Sequence, residues 1–216
     1  MTGSFSGNDS MNIPNTLTVA RVVIILIFVV LASLAGGEFY PVEKMSASLM
    51  TIRCTAYALA ILAALTDLLD GYLARRWNQI TDFGALMDPL ADKVFITATM
   101  IIAVYYQVIP AWIVILVLSR EFMVTGLRTM AAKRGVVIAA DRWGKLKTFL
   151  QMLMLALAGA SWIGLYDLKD KSSYHGILLW DLWMAFLVII VLVTVLSGLG
   201  YFIRYRSVFL PGTEAK

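Results

Sequence analysis

Ala64-Leu65-Thr66-Asp67-Leu68-Leu69-Asp70-Gly71-Tyr72-Leu73-Ala74-Arg75, followed after seven residues by Phe83-Gly84-Ala85-Leu86-Met87-Asp88-Pro89-Leu90-Ala91-Asp92-Lys93, decides how this chain is read. Each half is an apolar run interrupted by carboxylates. On a helix, residues three and four apart are neighbours. Asp67, Asp70, Gly71 and Ala74 therefore share one face, and Gly84, Asp88 and Asp92 make a second stripe. The connection Arg76–Asp82 is short, so the two helices should pack antiparallel as a hairpin. That brings Asp67, Asp70, Asp88 and Asp92 to one level. Carboxylates in apolar helices are costly and usually functional.

Composition sets the solvent. Of 216 residues, 60% are hydrophobic and only 15% charged. With the 15 glycines added, roughly two thirds of the chain is apolar, against about half in a soluble domain. A disordered chain is excluded, and an all-α integral membrane protein is expected. Cys54 and His175 are the only residues of their kinds. Intrachain disulfides, Cys-rich metal sites and multi-histidine sites are thereby excluded. A Ser-His-Asp arrangement would need His175, which is expected in a polar loop, Lys169–Gly176. Any bound metal must have oxygen ligands, which favours Mg²⁺ or Mn²⁺ over zinc.

Six apolar segments are long enough to span: about Leu17–Ala35, Leu49–Arg75, Phe83–Gln107, Ala111–Ala132, Leu146–Tyr166 and Trp180–Ile203. With no water to satisfy the backbone, all six should be helices. Pro89 removes a helical hydrogen bond and is a candidate kink in the third. Asn15 or Thr16 is a candidate cap for the first. Residues 1–11, rich in Ser, Gly, Asn and Asp, are expected to be disordered, and 12–210 to form one catalytic domain, with 211–216 a short tail. Residues 1–15 carry no Lys or Arg, so no signal peptide is expected.

Arg75, Arg76, Lys133, Arg134, Arg142, Lys145, Lys147, Arg204, Arg206 and Lys216 fall on one side of the expected membrane; Lys44, Lys169 and Lys171 fall on the other, with Arg53 just inside the second span. The balance puts both termini and the carboxylates on the cytoplasmic side. The net charge of +4 is then a matter of topology, and no nucleic-acid partner is expected. Trp112, Trp162, Trp180 and Trp183 at outer ends, and Trp77 and Trp143 at inner ones, read as an interfacial belt.

Four carboxylates at close range in a low dielectric repel strongly. Protonation of some, or cations between them, must relieve this. Two divalent ions would balance four charges, an arrangement common in phosphoryl transfer. Gly71, Ala74 and Gly84 leave room for a flat ligand, and Arg75 offers a planar donor fork suited to phosphate. The competing reading pairs Asp67 or Asp92 with Arg75, Lys93 or Arg120 as buried ion pairs, with small residues serving helix packing. Four aspartates on two matched stripes favour the site.

The pattern Asp67-x2-Asp70-Gly71-x2-Ala74-Arg75-x8-Gly84-x3-Asp88-x3-Asp92 resembles the signature of the CDP-alcohol phosphotransferase family at every specified position. The resemblance implies a six-helix membrane-bound enzyme, usually a homodimer, that moves a phosphatidyl or similar group from a CDP-linked donor to an alcohol and releases CMP. It implies a two-metal site on Asp67, Asp70 and Asp88, completed by Asp92, which would also be the general base. It places Gly71, Ala74, Arg75 and Gly84 on the cytidine diphosphate, with Thr66 at the border of that pocket.

Two further stretches resemble the phosphatidylglycerophosphate synthase branch of that family, a set of bacterial cytoplasmic-membrane enzymes. One is Asn12-Ile13-Pro14-Asn15-Thr16-Leu17-Thr18-x2-Arg21. The other is Ser119-Arg120-Glu121-Phe122-Met123-Val124-Thr125-Gly126-Leu127-Arg128 with Trp143-Gly144-Lys145-Leu146-Lys147-Thr148. The resemblance implies transfer of the phosphatidyl group of CDP-diacylglycerol to sn-glycerol 3-phosphate, with release of CMP. Arg120 and Arg128 lie two turns apart on nearly one face, and with Lys145 could hold an acceptor phosphate. Alternatively, Arg120 pairs with an aspartate, Glu121 with an arginine, and Lys145 and Lys147 only set topology. Arg21 could snorkel. Serine, inositol phosphate or phosphatidylglycerol as acceptor, or a cation transporter lined by carboxylates, are the other functions considered. Ser197, Gly198 and Gly200 are candidates for a dimer face.

Overall fold

The computed structural model describes residues 13–36, 45–77, 82–135, 142–168 and 173–206; within them the side chains of 13–15, 67–77, 82–86, 88 and 142–143 fall outside the description. Six helices follow one another: α1 Ile13–Leu34, α2 Ala47–Trp77, α3 Asp82–Tyr105, α4 Ala111–Lys133, α5 Arg142–Trp162 and α6 Tyr174–Arg204. Among the described residues there is no strand. The fold is that of an all-α integral membrane protein. By length and composition, Thr16–Leu34, Ala47–Thr66 and Tyr174–Arg204 can each cross a membrane. The remaining helices carry ionisable residues within their length: Asp88, Asp92 and Lys93 on α3, Arg120, Glu121 and Arg128 on α4, and Lys145 and Lys147 on α5. Such residues in a membrane helix turn toward protein or water.

The stretch Ala47–Thr66 of α2 is long and apolar enough to cross a membrane. Its 20 residues rise about 30 Å, the thickness of the hydrocarbon. The helix nevertheless continues to Trp77. The helix α3 restarts at Asp82 after only four residues, 78–81. Pro89 lies inside α3, which runs through it from Asp82 to Tyr105.

The chain forms two compact units: α1, α2 and α3 as far as Ile102; and the end of α3 with α4, α5 and α6. In the first, α1 packs on α2. Arg21, Ile25, Phe28, Ala32 and Ala35 form a buried stripe at helical spacing on α1, while Arg53, Ala56 and Ala63 are buried on α2. Alanines allow close approach where lipid supplies no hydrophobic drive. The opposite side of α1, with Val23, Leu26, Ile27, Val30 and Leu34, is exposed, as a lipid-facing surface should be.

In the second unit, α6 packs on α4 and α5. Its buried stripe starts apolar with Trp183, Leu187 and Ile190, then turns polar with Thr194, Ser197 and Tyr201. The stripe of α4 is apolar, with Ile113, Val117, Val124 and Ala131, and is interrupted by the buried Arg120. That of α5, which runs the other way, begins with Lys147 and Gln151 and continues with Met154 and Ala158.

Four expectations need correction. First, α1 begins at Ile13, so Asn15 and Thr16 lie inside its first turn rather than capping it. Second, α5 stops at Trp162 although apolar sequence continues to Tyr166. Gly164 takes φ +84, its N–H bonds Ser161 O, and Leu165 N–H bonds Ala160 O. This is a glycine-terminated helix end that composition alone does not signal. Third, α6 starts at Tyr174, because Ser173 Oγ caps Gly176 N–H at 3.0 Å. His175 is therefore helical rather than in a loop. Fourth, Trp162 and Trp183 are buried. Trp183 Nε1 donates to Val108 O at 2.9 Å, and Trp162 packs on Tyr106 with centroids 4.9 Å apart. They support the turn between α3 and α4; Trp112 is exposed, as a belt residue should be. Trp77 and Trp143 lie outside the described side chains.

Candidate active site

Asp92 is the one aspartate of the signature whose side chain is described. It sits on α3 with its side chain 46% exposed, and its Oδ1 accepts a 2.9 Å hydrogen bond from Arg21 Nη1. Arg21 is buried, in the stripe by which α1 packs. It does not snorkel; it turns inward onto a carboxylate 71 residues away. Among the described residues, Arg21 is an ion-pair partner of Asp92 that the sequence reading did not name. The clue was the register: Arg21 lies four residues before Ile25, on the inward face of a helix whose other face is mostly apolar.

Asp67, Asp70, Asp88, Gly71, Ala74, Arg75 and Gly84 fall outside the described side chains. The backbone places them: α2 is helical through Asp67, Asp70 and Ala74, and α3 through Gly84, Asp88 and Asp92. The stripes read from spacing are therefore real helical stripes. Between Trp77 and Asp82 the chain can reach at most about 18 Å, so the helix ends they join lie close together. A donor set made only of carboxylate oxygens fits a hard divalent cation. Asp92, half open, leaves access for one. Thr66 fits the nucleotide pocket less well. Its Oγ1 donates to Leu62 O and Ala63 O, both at 2.9 Å, so the hydroxyl could only accept a bond from a ligand.

In the second unit α4 and α5 line an open-sided cavity of about 420 Å³ whose walls include Arg120, Glu121, Arg128, Lys145 and Lys147. The three expected acceptor residues, Arg120, Arg128 and Lys145, are thus brought together. Lys147 joins them, and this corrects its reading as a topology charge: it is buried and paired with Glu121. Glu121 also lies 3.5 Å from Arg120 Nη1. The carboxylate serves a lysine first and an arginine second.

Arg120 is buried, and its Nη2 donates to Ser197 Oγ at 2.9 Å. Its Nε has no hydrogen-bond partner among the described residues. A buried orphan donor costs about 1–3 kcal/mol until an acceptor arrives. Arg128 Nη2 donates to Tyr201 Oη at 2.7 Å. Four cations against a single carboxylate, in a cavity of this size, call for an anion with several acceptor oxygens. Sequence reading gave Ser197 to a dimer face and passed over Tyr201, because nothing local ties α6 to α4.

A family model described as CDP-alcohol phosphatidyltransferase matches residues 11–196. The chain belongs to the CDP-alcohol phosphatidyltransferase family. It is therefore of an enzyme family, and the match takes in both the aspartate stripes and the cavity. Among similar curated proteins, one from Bacillus subtilis, named CDP-diacylglycerol--glycerol-3-phosphate 3-phosphatidyltransferase, is 39% identical over 88% of this chain and 93% of its own length. One of the same name from Rickettsia typhi is 32% identical over 92% of this chain and 99% of its own. A Mycobacterium tuberculosis protein named probable phosphatidylglycerophosphate synthase is 34% identical over 94% and 86%. Bacterial relatives over nearly the whole chain agree with a membrane-embedded CDP-alcohol phosphatidyltransferase.

Proposed function

We propose that this enzyme transfers the phosphatidyl group of CDP-diacylglycerol to sn-glycerol 3-phosphate, giving phosphatidylglycerophosphate and CMP. The observation that carries the acceptor is the cavity with Arg120, Arg128 and Lys145 in one wall system, joined by Lys147. A serine or an uncharged alcohol would leave these cations unmatched. The relatives' names support the same reading.

Asp67, Asp70, Asp88 and Asp92 hold two divalent cations, Mg²⁺ or Mn²⁺, by oxygen ligands alone. When bound, these ions offset negative charge on the phosphoryl oxygens. Gly71, Ala74, Arg75 and Gly84, with Thr66 at the edge, accommodate the cytidine diphosphate, while the acyl chains stay in the bilayer. Arg120, Arg128 and Lys145 hold the phosphate of the acceptor. Asp92 takes the proton of its primary hydroxyl as that oxygen bonds to the β-phosphorus. The bond from this phosphorus to the bridging oxygen breaks, and its electron pair leaves with CMP. Arg21 holds the Asp92 carboxylate in place through its 2.9 Å contact. The basic loops support a placement in the bacterial cytoplasmic membrane with both termini and the active site on the cytoplasmic side; a homodimer is the expected assembly.

The test incubates purified protein with CDP-diacylglycerol and a panel of alcohols and measures CMP. Glycerol 3-phosphate should drive release, EDTA should abolish it, and Mg²⁺ or Mn²⁺ should restore it. Preference for serine, inositol phosphate or phosphatidylglycerol would overturn the acceptor, and EDTA-resistant release would overturn the metals.

A further inference from the structure

Arg120 and Arg128 are long, flexible side chains on one helix, and two like charges near one cavity repel. Something must fix them at a useful separation. The contacts come from one segment of α6, Ser197-Gly198-Leu199-Gly200-Tyr201. Ser197 Oγ donates to Thr194 O at 2.9 Å and accepts from Arg120 Nη2 at 2.9 Å, so its hydroxyl rotor is locked with a lone pair toward the guanidinium. Tyr201 accepts from Arg128, and its ring lies under both guanidinium groups, 5.7 Å from that of Arg120 and 5.3 Å from that of Arg128. Cations over a ring face at such distances are attracted to it. Gly198 completes the surface. A Cβ there would come within 2.9 Å of Arg120 Cγ, near the root of the side chain, where little can move aside. Two residues on, a Cβ at Gly200 would meet nothing within 4 Å.

We propose that Ser197, Gly198 and Tyr201 are positioning residues: an α6 platform that sets the two guanidinium forks at fixed spacing for a phosphomonoester. Ser197 and Gly198, candidates for a dimer face from sequence, are buried against α4 of the same chain. The platform lies just beyond residue 196, where the family match ends. The inference rests on reading the cavity as the acceptor-phosphate site. Its logic is preorganisation. Forks already held apart lose less freedom when phosphate arrives, and the neutral hydroxyl acceptors leave their positive charge for the ligand.

The experiment compares Ser197→Ala, Tyr201→Phe, Tyr201→Leu and Gly198→Ala, with Gly200→Ala as control, in full-length protein in detergent. Two readouts are taken: CMP release against each substrate, and calorimetric binding of glycerol 3-phosphate and of inorganic phosphate. Tyr201→Leu and Gly198→Ala should raise KM for glycerol 3-phosphate about tenfold, with Ser197→Ala and Tyr201→Phe smaller, since each loses one charge-assisted hydrogen bond. KM for CDP-diacylglycerol should not move, Tyr201→Phe should recover part of what Tyr201→Leu loses, and Gly200→Ala should match the parent chain. Equal shifts in both substrates, or unchanged phosphate binding in every α6 variant, would overturn the platform. If the unaltered enzyme prefers another phosphorylated alcohol, the acceptor reading fails alone; the platform then stands or falls on the same shifts for that alcohol and for phosphate. Should Gly198→Ala fail to fold, Ser197→Ala and Tyr201→Phe, which remove one oxygen each, decide.

Discussion

The two units solve the same electrostatic problem with the signs exchanged. In the α1–α3 unit a buried arginine, Arg21, holds a half-exposed carboxylate, Asp92. In the α4–α6 unit a partly exposed carboxylate, Glu121, holds a buried lysine, Lys147. Among the described residues, each unit thus pairs a buried charge with a more exposed opposite one. On the proposed reading, the aspartates of α2 and α3 would take cations and the basic residues around the cavity would take a phosphate. A membrane enzyme cannot leave such charges to water, so each set would define its ligand.

Asp92→Asn should break this comparison on one side only. Asn keeps an Oδ1 that can accept from Arg21, so the fold should survive, but it cannot take a proton. Loss of a general base costs on the order of 10²–10⁴ in rate. CMP release should fall by that much, while calorimetric binding of glycerol 3-phosphate stays as in the parent. Near-parental release would remove Asp92 from the chemistry.

Arg128→Ala acts on the other unit. It removes a charge-assisted contact worth about 1.5–3 kcal/mol, so KM for glycerol 3-phosphate should rise roughly ten- to hundredfold. The requirement for CDP-diacylglycerol should stay put. A matched rise in both would mean that Arg128 supports the helix bundle rather than the acceptor.

These two sites were not equally legible. The aspartate stripes lie within one stretch, and helical spacing alone arranges them, so sequence shows them directly. The cavity was legible only in its cations. Arg120, Arg128 and Lys145 stand out because charge in an apolar run is conspicuous. What orients them does not, because Ser197 and Tyr201 lie 77 and 73 residues away and look like ordinary residues of a membrane helix. Arg21 was visible as a charge but not as a partner, since its role depends on which face of α1 meets protein. The helix ends were misjudged where one hydrogen bond decides: Ser173 starts α6 early, and Gly164 ends α5 before its apolar run does.

Glu121→Gln separates charge from packing in the cavity. Lys147 is buried, so loss of its carboxylate partner should lower thermal stability measurably. The same change removes the one negative group from a wall meant for an anion, so phosphate should bind a few-fold more tightly. Stability lost with affinity gained is a pair of outcomes that a purely structural ion pair would not give; weaker phosphate binding would show that Glu121 contacts the ligand or shapes the cavity for it.

Gly144→Ala is expected to do least, and its smallness is informative. Gly144 lines the cavity near the start of α5, and a Cβ there meets nothing within 4 Å. No neighbour is displaced, and alanine favours the helix by up to about 1 kcal/mol over glycine. Melting temperature should hold or rise slightly. A methyl group takes little from a cavity of about 420 Å³, so KM for glycerol 3-phosphate should change less than twofold. A large rise would mean that the acceptor, or the backbone that carries Lys145, comes right up to this glycine. The phosphate would then be held from the start of α5 as much as from the arginines of α4.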